Sequence, residues 1–300
     1  MIGQYLADGI VLGSTIALGA IGLTLTYNIL NFANFAHGSL LSWGAYFGLV
    51  FVMSFAGIQG GDTFGSLSFG WPFIVALFGA AVLTSGLALL VDWLVFRPLR
   101  RSNIQVALVF ASFGASLLLR NFIVVFFGPE PHYYNNSIEI AKEILPGVRM
   151  TSDQIFVVVL AAVLVVALHL FLTRTKLGKA MRATADNTAL AQVTGINVQG
   201  VVRWTWVVGA SLAAVGGMFF GLTVQILPEM GFNLVLPLFA AAILGGIGSV
   251  YGAVLGGLVI GIAQDVSVMF ISPAYKPAVS FVIMIIVLLV RPTGILGEKK

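Results

Sequence analysis

The chain is 300 residues long, 59% hydrophobic and only 9% charged, with a formal net charge of +4 and a mean hydropathy of +1.04. A water-soluble fold of that length could not carry such a composition without exposing large apolar patches, so the class expected is a polytopic helical membrane protein with no nucleic-acid partner. The absence of cysteine removes disulfides, thiolate catalysis and cysteine-ligated metals together.

The opening MIGQYLADG lacks the basic flank and small-residue cleavage site of a secretory signal, so the first apolar segment is expected to stay as a membrane helix. Runs long enough to cross hydrocarbon follow at about 5 to 28, 38 to 57, 71 to 96, 104 to 127, 154 to 173 and 204 to 226. A short run at 234 to 247 precedes two more at 249 to 270 and 278 to 290. The interruptions at 31 to 37 and 245 to 249 allow re-entrant segments, which makes the count eight or nine. The expected fold is therefore an all-α transmembrane bundle, some of its spans broken, forming one integral-membrane domain over 1–300.

Charge orients the spans. Arg97, Arg100 and Arg101 share one short loop; Arg174, Lys176, Lys179, Arg182 and Arg203 share another; Arg291, Lys299 and Lys300 end the chain. With nine spans all three groups fall on one side, which the positive-inside rule assigns to the cytoplasm together with the C-terminus. The 128 to 153 loop, with Glu130, Glu139, Glu143 and Asp153, then lies outside.

The first interruption places Asn28, Asn31, Asn34, His37 and Ser39 within hydrophobic sequence. Free backbone and amide groups at such depth are tolerable when buried in protein or lining a wet cavity, so Asn31, Asn34, His37 and Ser39 are the candidates for lining a pathway. The alternative is that they hydrogen-bond neighbouring helices or cap a helix start. His37 is not a metal ligand in this reading, because neither His132 nor His169 stands at ligand spacing.

Many of the 35 glycines recur every four residues, as at Gly9 and Gly13 or Gly257 and Gly261, which suits close helix packing. Gly245-Gly246-Ile247-Gly248 lies in an apolar stretch with no preceding soluble strand, so it is not read as a nucleotide loop. Arg120 and Asp265 fall toward the outer parts of their spans. They can form a structural pair, line an external vestibule, or couple protons; the first two fit better, because few other titratable groups lie at midplane. Asp92 and His169 fall at cytoplasmic ends, where interfacial placement is the cheaper explanation.

The polar island 174–203 stands out within this apolar chain. A short helix bounded by Gly178 and Gly195 would be slim at Ala183, Ala189 and Ala191. Asp186 or Asn187 can cap an internal helix start, and Gly195 can end it before apolar Ile196. Length and the glycine boundaries favour a docking element for another protein over a merely solvated loop.

The run Ala17-Leu18-Gly19-Ala20-Ile21-Gly22-Leu23-Thr24-Leu25-Thr26-Tyr27, the following Asn34-Phe35-Ala36-His37-Gly38 and Gly44-Ala45-Tyr46 resemble the LivH-type permeases, membrane subunits of ATP-binding-cassette importers for branched-chain amino acids. Gly178-Lys179, Arg182-Ala183, Asn187, Ala191 and Gly195-Ile196-Asn197 are similar to that family's cytoplasmic coupling loop, and the glycine-rich Gly245 to Ala253 stretch to its late segment. The resemblance runs nearly end to end. It implies a second related permease subunit, two cytoplasmic ATP-binding subunits, an external solute-binding protein and residence in the bacterial inner membrane. It also implies cargo such as Leu, Ile or Val, or a related urea, amide or amino-acid solute.

Independently of the resemblance, no GxxxxGK[ST] stretch occurs, so any ATP-driven work must come from a partner; the resemblance implies that ATP and magnesium are used by the ATP-binding subunits, with no cofactor on this chain. ATP-driven closure of those partners would move the island and tilt its attached spans. The importer loop pattern of EAA followed by a spaced glycine is half kept, with Ala189 and Leu190 at its first two positions. The competing reading is a self-sufficient secondary transporter or facilitator. A membrane-embedded enzyme would need paired acids, a nucleophile with its base or a metal cluster, and the sequence supplies none.

Overall fold

The computed structural model describes residues 2–56, 67–100, 104–135, 140–291 and 293–297. Its helices are α1 (Ile2–Leu30), α2 (Ala36–Ala56), α3 (Trp71–Val91), a π-helical turn (Asp92–Phe96), α4 (Arg97–Arg100), α5 (Gln105–Phe127), α6 (Ser152–Arg174), α7 (Lys176–Asp186) and α8 (Thr188–Val193). The remaining helices are α9 (Val198–Thr223), α10 (Met230–Gly245), α11 (Val250–Ser267), a short 3-10 turn (Pro273–Tyr275) and α12 (Lys276–Val290). Eight of these helical segments are long and apolar enough to cross a membrane, and α10 is a shorter apolar helix carrying Pro237. The protein is a multi-pass membrane protein.

The bundle is built around α1, which packs on α11, α9 and α10, while α12 lies at the periphery with most of its surface uncovered. Small residues set those distances. A side-chain carbon on Gly13 would stand 2.9 Å from the Cα of Leu258, so α1 and α11 approach backbone to backbone, where packing and not hydrophobic exclusion holds helices together.

Both expected interruptions are present. After α1 the backbone turns at Asn31, which adopts φ 55°, a left-handed conformation that asparagine tolerates better than most residues. The chain then climbs back: His37, in the first turn of α2, hydrogen-bonds the Gly19 carbonyl, about three helical turns before α1 ends. The second interruption runs from Gly246, at φ 104°, to Ser249, whose hydroxyl caps α11 by accepting from Gly252 N at 3.1 Å. The C-terminal segment folds under it. Ile295 N and Leu296 N donate to the Leu244 and Gly245 carbonyls at 2.8 and 2.9 Å, pairing acceptors that the end of α10 would otherwise leave free.

The 128 to 153 segment contains an unanticipated β-hairpin, Lys142–Leu145 with Val148–Met150, turning at Gly147. Gln4 pins it to α1, exchanging hydrogen bonds with both the backbone N and the carbonyl of Arg149. Burial raises the Tyr134 hydroxyl well above the ordinary phenol range, keeping it a neutral donor to the Ala45 carbonyl at 2.8 Å.

Candidate functional site: a helical hairpin and the break between α1 and α2

The polar island is two helices, not the single helix bounded by Gly178 and Gly195 that its sequence suggests. Thr175 caps α7, accepting from Gly178 N at 2.9 Å. Gly178 is not a boundary; it lies buried in the first turn of α7, where a Cβ would stand 2.5 Å from the Cα of Leu172 in α6. Asn187 is the internal cap, its side-chain oxygen accepting from Leu190 N at 2.9 Å to start α8. Asp186 ends α7 instead. Gly195, at φ 87°, closes α8: Ile196 N reaches the Ala191 carbonyl and Gly195 N the Gln192 carbonyl, both at 3.0 Å, a Schellman arrangement that favours glycine. Asn197 then caps α9 through Gly200 N at 3.0 Å, so the hairpin runs directly into a long membrane helix.

The faces of this hairpin differ from expectation in one respect. Lys179, Arg182, Ala183 and Asn187 are exposed, as a docking element requires, but Ala191 is only 3% exposed and packs inward. The apolar surface presented outward is Leu190, 60% exposed, and Val193, 86% exposed. On a six-residue helix the alternation of alanine with larger residues does not fix which face turns in, and inward packing took the smaller side chain.

At the break, three of the four polar candidates are buried within the chain, and Asn31 alone is exposed. Asn34 Oδ1 accepts from Ala36 N at 3.1 Å, capping the start of α2. Ser39 donates to the Ser116 carbonyl at 3.0 Å, and Phe35 N donates to the Ser112 hydroxyl at 3.1 Å, fastening the break to α5. The His37 ring lies against Gly22 and bonds the Gly19 carbonyl at 2.9 Å; since a carbonyl only accepts, Nε2 carries the proton. Neighbour bonds thus hold Asn34 Oδ1, His37 Nε2 and Ser39 Oγ, while Asn34 Nδ2 and His37 Nδ1 are buried without a partner among the described residues.

Arg120 and Asp265 do not pair with one another. Arg120 bonds Glu229, just before α10, and lies over the Phe232 ring at 5.9 Å. Asp265 bonds Lys276 at the start of α12. The third ion pair among the described residues spans the π-turn, with Arg100 gripping both carboxylate oxygens of Asp92 at 2.6 and 3.1 Å. This pairing was missed in the sequence, where Asp92 reads as an interfacial charge. No group of three or more histidine or acidic side chains suited to a metal is present among the described residues.

Comparison with known proteins gives this geometry a family. Residues 5–288 match the family described as the branched-chain amino acid transport system permease component. The chain is 36% identical to the high-affinity branched-chain amino acid transport system permease protein LivH of Escherichia coli strain K12, covering 99% of this chain and 96% of that one. It is 34% identical to the corresponding permease BraD of Pseudomonas aeruginosa over the same shares. Identity to a probable branched-chain amino acid transport permease of Methanocaldococcus jannaschii is 31%, over 98% of this chain and 92% of that one. No solved structure matches the chain. The chain belongs to the branched-chain amino acid transport permease family and is a membrane permease subunit of an ATP-binding-cassette importer.

Proposed function

We propose that this permease carries leucine, isoleucine and valine inward across the bacterial cytoplasmic membrane, with its C-terminus and the 174–203 hairpin in the cytoplasm. ATP and magnesium are used by two partner ATP-binding subunits. A second related permease subunit completes the path, and an external solute-binding protein delivers cargo. The names of the relatives support the solute class, and the absence of a GxxxxGK[ST] stretch supports placing hydrolysis on partners. The clustering of eleven basic residues on one side supports the orientation.

The observation that carries the coupling role is the hairpin's outward face. Leu190 and Val193 stand exposed on a helix capped at both ends, flanked by exposed Lys179 and Arg182. Exposed aliphatics on a rigid, charged extramembrane element suit a protein groove better than water. Gly178, Asn187, Ala191 and Gly195 serve this role by shaping the hairpin; Lys179, Arg182 and Ala183 serve it by contact. At the break, Asn31 faces the solute path, while Asn34, His37 and Ser39 hold its shape. Arg120 and Asp265, each in an ion pair, keep structural roles toward the outer side.

The test is a tagged pull-down from gently solubilised membranes, with captured proteins identified by mass spectrometry. The wild type is expected to bring down ATP-binding subunits, and a Leu190→Asp, Val193→Asp variant of equal membrane abundance is expected to lose them. Capture of no ATP-binding subunit by the wild type, even after crosslinking, would remove the importer mechanism. Leucine uptake by the purified chain alone would favour a gradient-driven carrier.

A further inference from the structure

We propose that Trp206, Phe96 and Phe32 form a mechanical relay that carries motion of the cytoplasmic hairpin to the break between α1 and α2. The inference rests on the docking role proposed for the hairpin. Trp206 lies two turns into α9, the helix into which the hairpin runs directly. Its indole stacks on the Phe96 ring with centroids 5.3 Å apart and planes within 6°. Phe96 in turn packs on Phe32, in the link that reverses the chain after α1, at 5.2 Å. All three are buried, with exposures of 1%, 0% and 3%.

Two features make this stack a transmitter and not simply core. Phe96 closes the π-helical turn, a wider and rarer helical form that concentrates at functional sites. The Asp92–Arg100 pair clamps that turn from both ends, so the Phe96 ring is carried on a stiff support and a push on it is not dissipated locally. In addition, α9 and α1 approach backbone to backbone at Gly209 and Gly22. A side-chain carbon on Gly22 would stand 2.6 Å from the Gly209 carbonyl oxygen and 2.8 Å from the His37 ring. With the backbones this close, a shift of α9 is passed directly to α1 and to the His37 ring beside it. Helix α9 thus meets the break through the aromatic stack on one side and through Gly22 and His37 on the other. Packed rings displace together because the interior has no slack volume to absorb the movement.

The chain has no cysteine, so a single introduced thiol reports without background. Ala33→Cys, half-buried in the link, is placed in the complete transporter with its ATP-binding subunits in proteoliposomes. Its labelling rate is measured with a small maleimide, with and without ATP and vanadate. The relay predicts a change of about fivefold or more on nucleotide trapping, lost when Trp206→Ala is added and restored by Trp206→Phe, which keeps a stackable ring. Phe219→Ala removes another fully buried ring from α9 that packs on Phe156 instead; it should leave the change in place.

Persistence of the full change in Trp206→Ala would overturn the relay, as would its equal loss in Phe219→Ala. If ATP-binding subunits do not assemble with the Ala33→Cys parent, the docking reading fails first and takes the relay with it. If they assemble with every variant, the labelling result judges the relay alone.

Discussion

The Nε2 of His37 lies 2.9 Å from the carbonyl oxygen of Gly19, tying the first turn of α2 to the middle of α1. This contact makes the asparagine-rich interruption a re-entrant turn and not a surface loop, because it lifts the start of α2 well above the end of α1. His37→Leu keeps similar bulk without a donor and should destabilise the protein by about 1–2 kcal/mol, with His37→Gln closer to wild type. Thermal unfolding of the detergent-purified variants checks this. Equal midpoints for His37→Leu and wild type would show that the bond does not hold the turn.

The Asp265–Lys276 and Arg120–Glu229 ion pairs should respond unequally to loss of their cation. Asp265 has a side chain only 8% exposed, whereas Glu229 is 57% exposed. Lys276→Met therefore leaves a poorly hydrated carboxylate and should cost a few kcal/mol, unless the acid takes up a proton. Arg120→Met leaves a wet one and should cost under about 1 kcal/mol. Adding Asp265→Asn to Lys276→Met should recover part of the loss. Unfolding midpoints of the three variants decide it, and a larger loss for Arg120→Met would reverse the ranking.

Helix α8 depends on its caps, being only six residues long. Asn187→Ala removes the acceptor for Leu190 N and should cost about 1 kcal/mol, or roughly fivefold in local amide protection. Gly195→Ala adds a methyl where space is open, so its cost, about 1–2 kcal/mol, is that of holding alanine at positive φ. Hydrogen exchange over 188–196 should speed up in both variants while α9 stays protected. Unchanged exchange would mean that packing against α7 alone maintains α8.

The sequence disclosed whatever is local or cumulative. Apolar length gave the spans, and the island's Asn187 and Gly195 were visible as caps because capping is set by residues three positions apart. The breaks at 31 and 246 were visible as polar or glycine-rich interruptions. Contacts made over long separations were not. Arg120 finds Glu229 from 109 residues away, and nothing in either neighbourhood marks the other. The Asp92–Arg100 pair lies nearer, but a spacing of eight is not one that marks neighbours on a regular helix, and the two residues are joined across a π-turn. A four-residue strand has too few positions for alternation to announce it, which hid the hairpin at 142–150. Ala191 was misplaced for a related reason, since one and a half turns of helix do not define a face.

The most direct test of the account is site-specific crosslinking at Val193, the most exposed apolar side chain of α8, in a chain that has no cysteine of its own. Val193→Cys and, on the β-hairpin, Ile144→Cys are each expressed with the partner subunits in native membranes and treated with a short bifunctional thiol reagent. The account predicts an adduct between Val193→Cys and an ATP-binding subunit, and none from Ile144→Cys on the opposite face. Absence of that adduct at Val193, or its appearance at Ile144, would contradict the docking of ATP-binding subunits on the 174–203 hairpin.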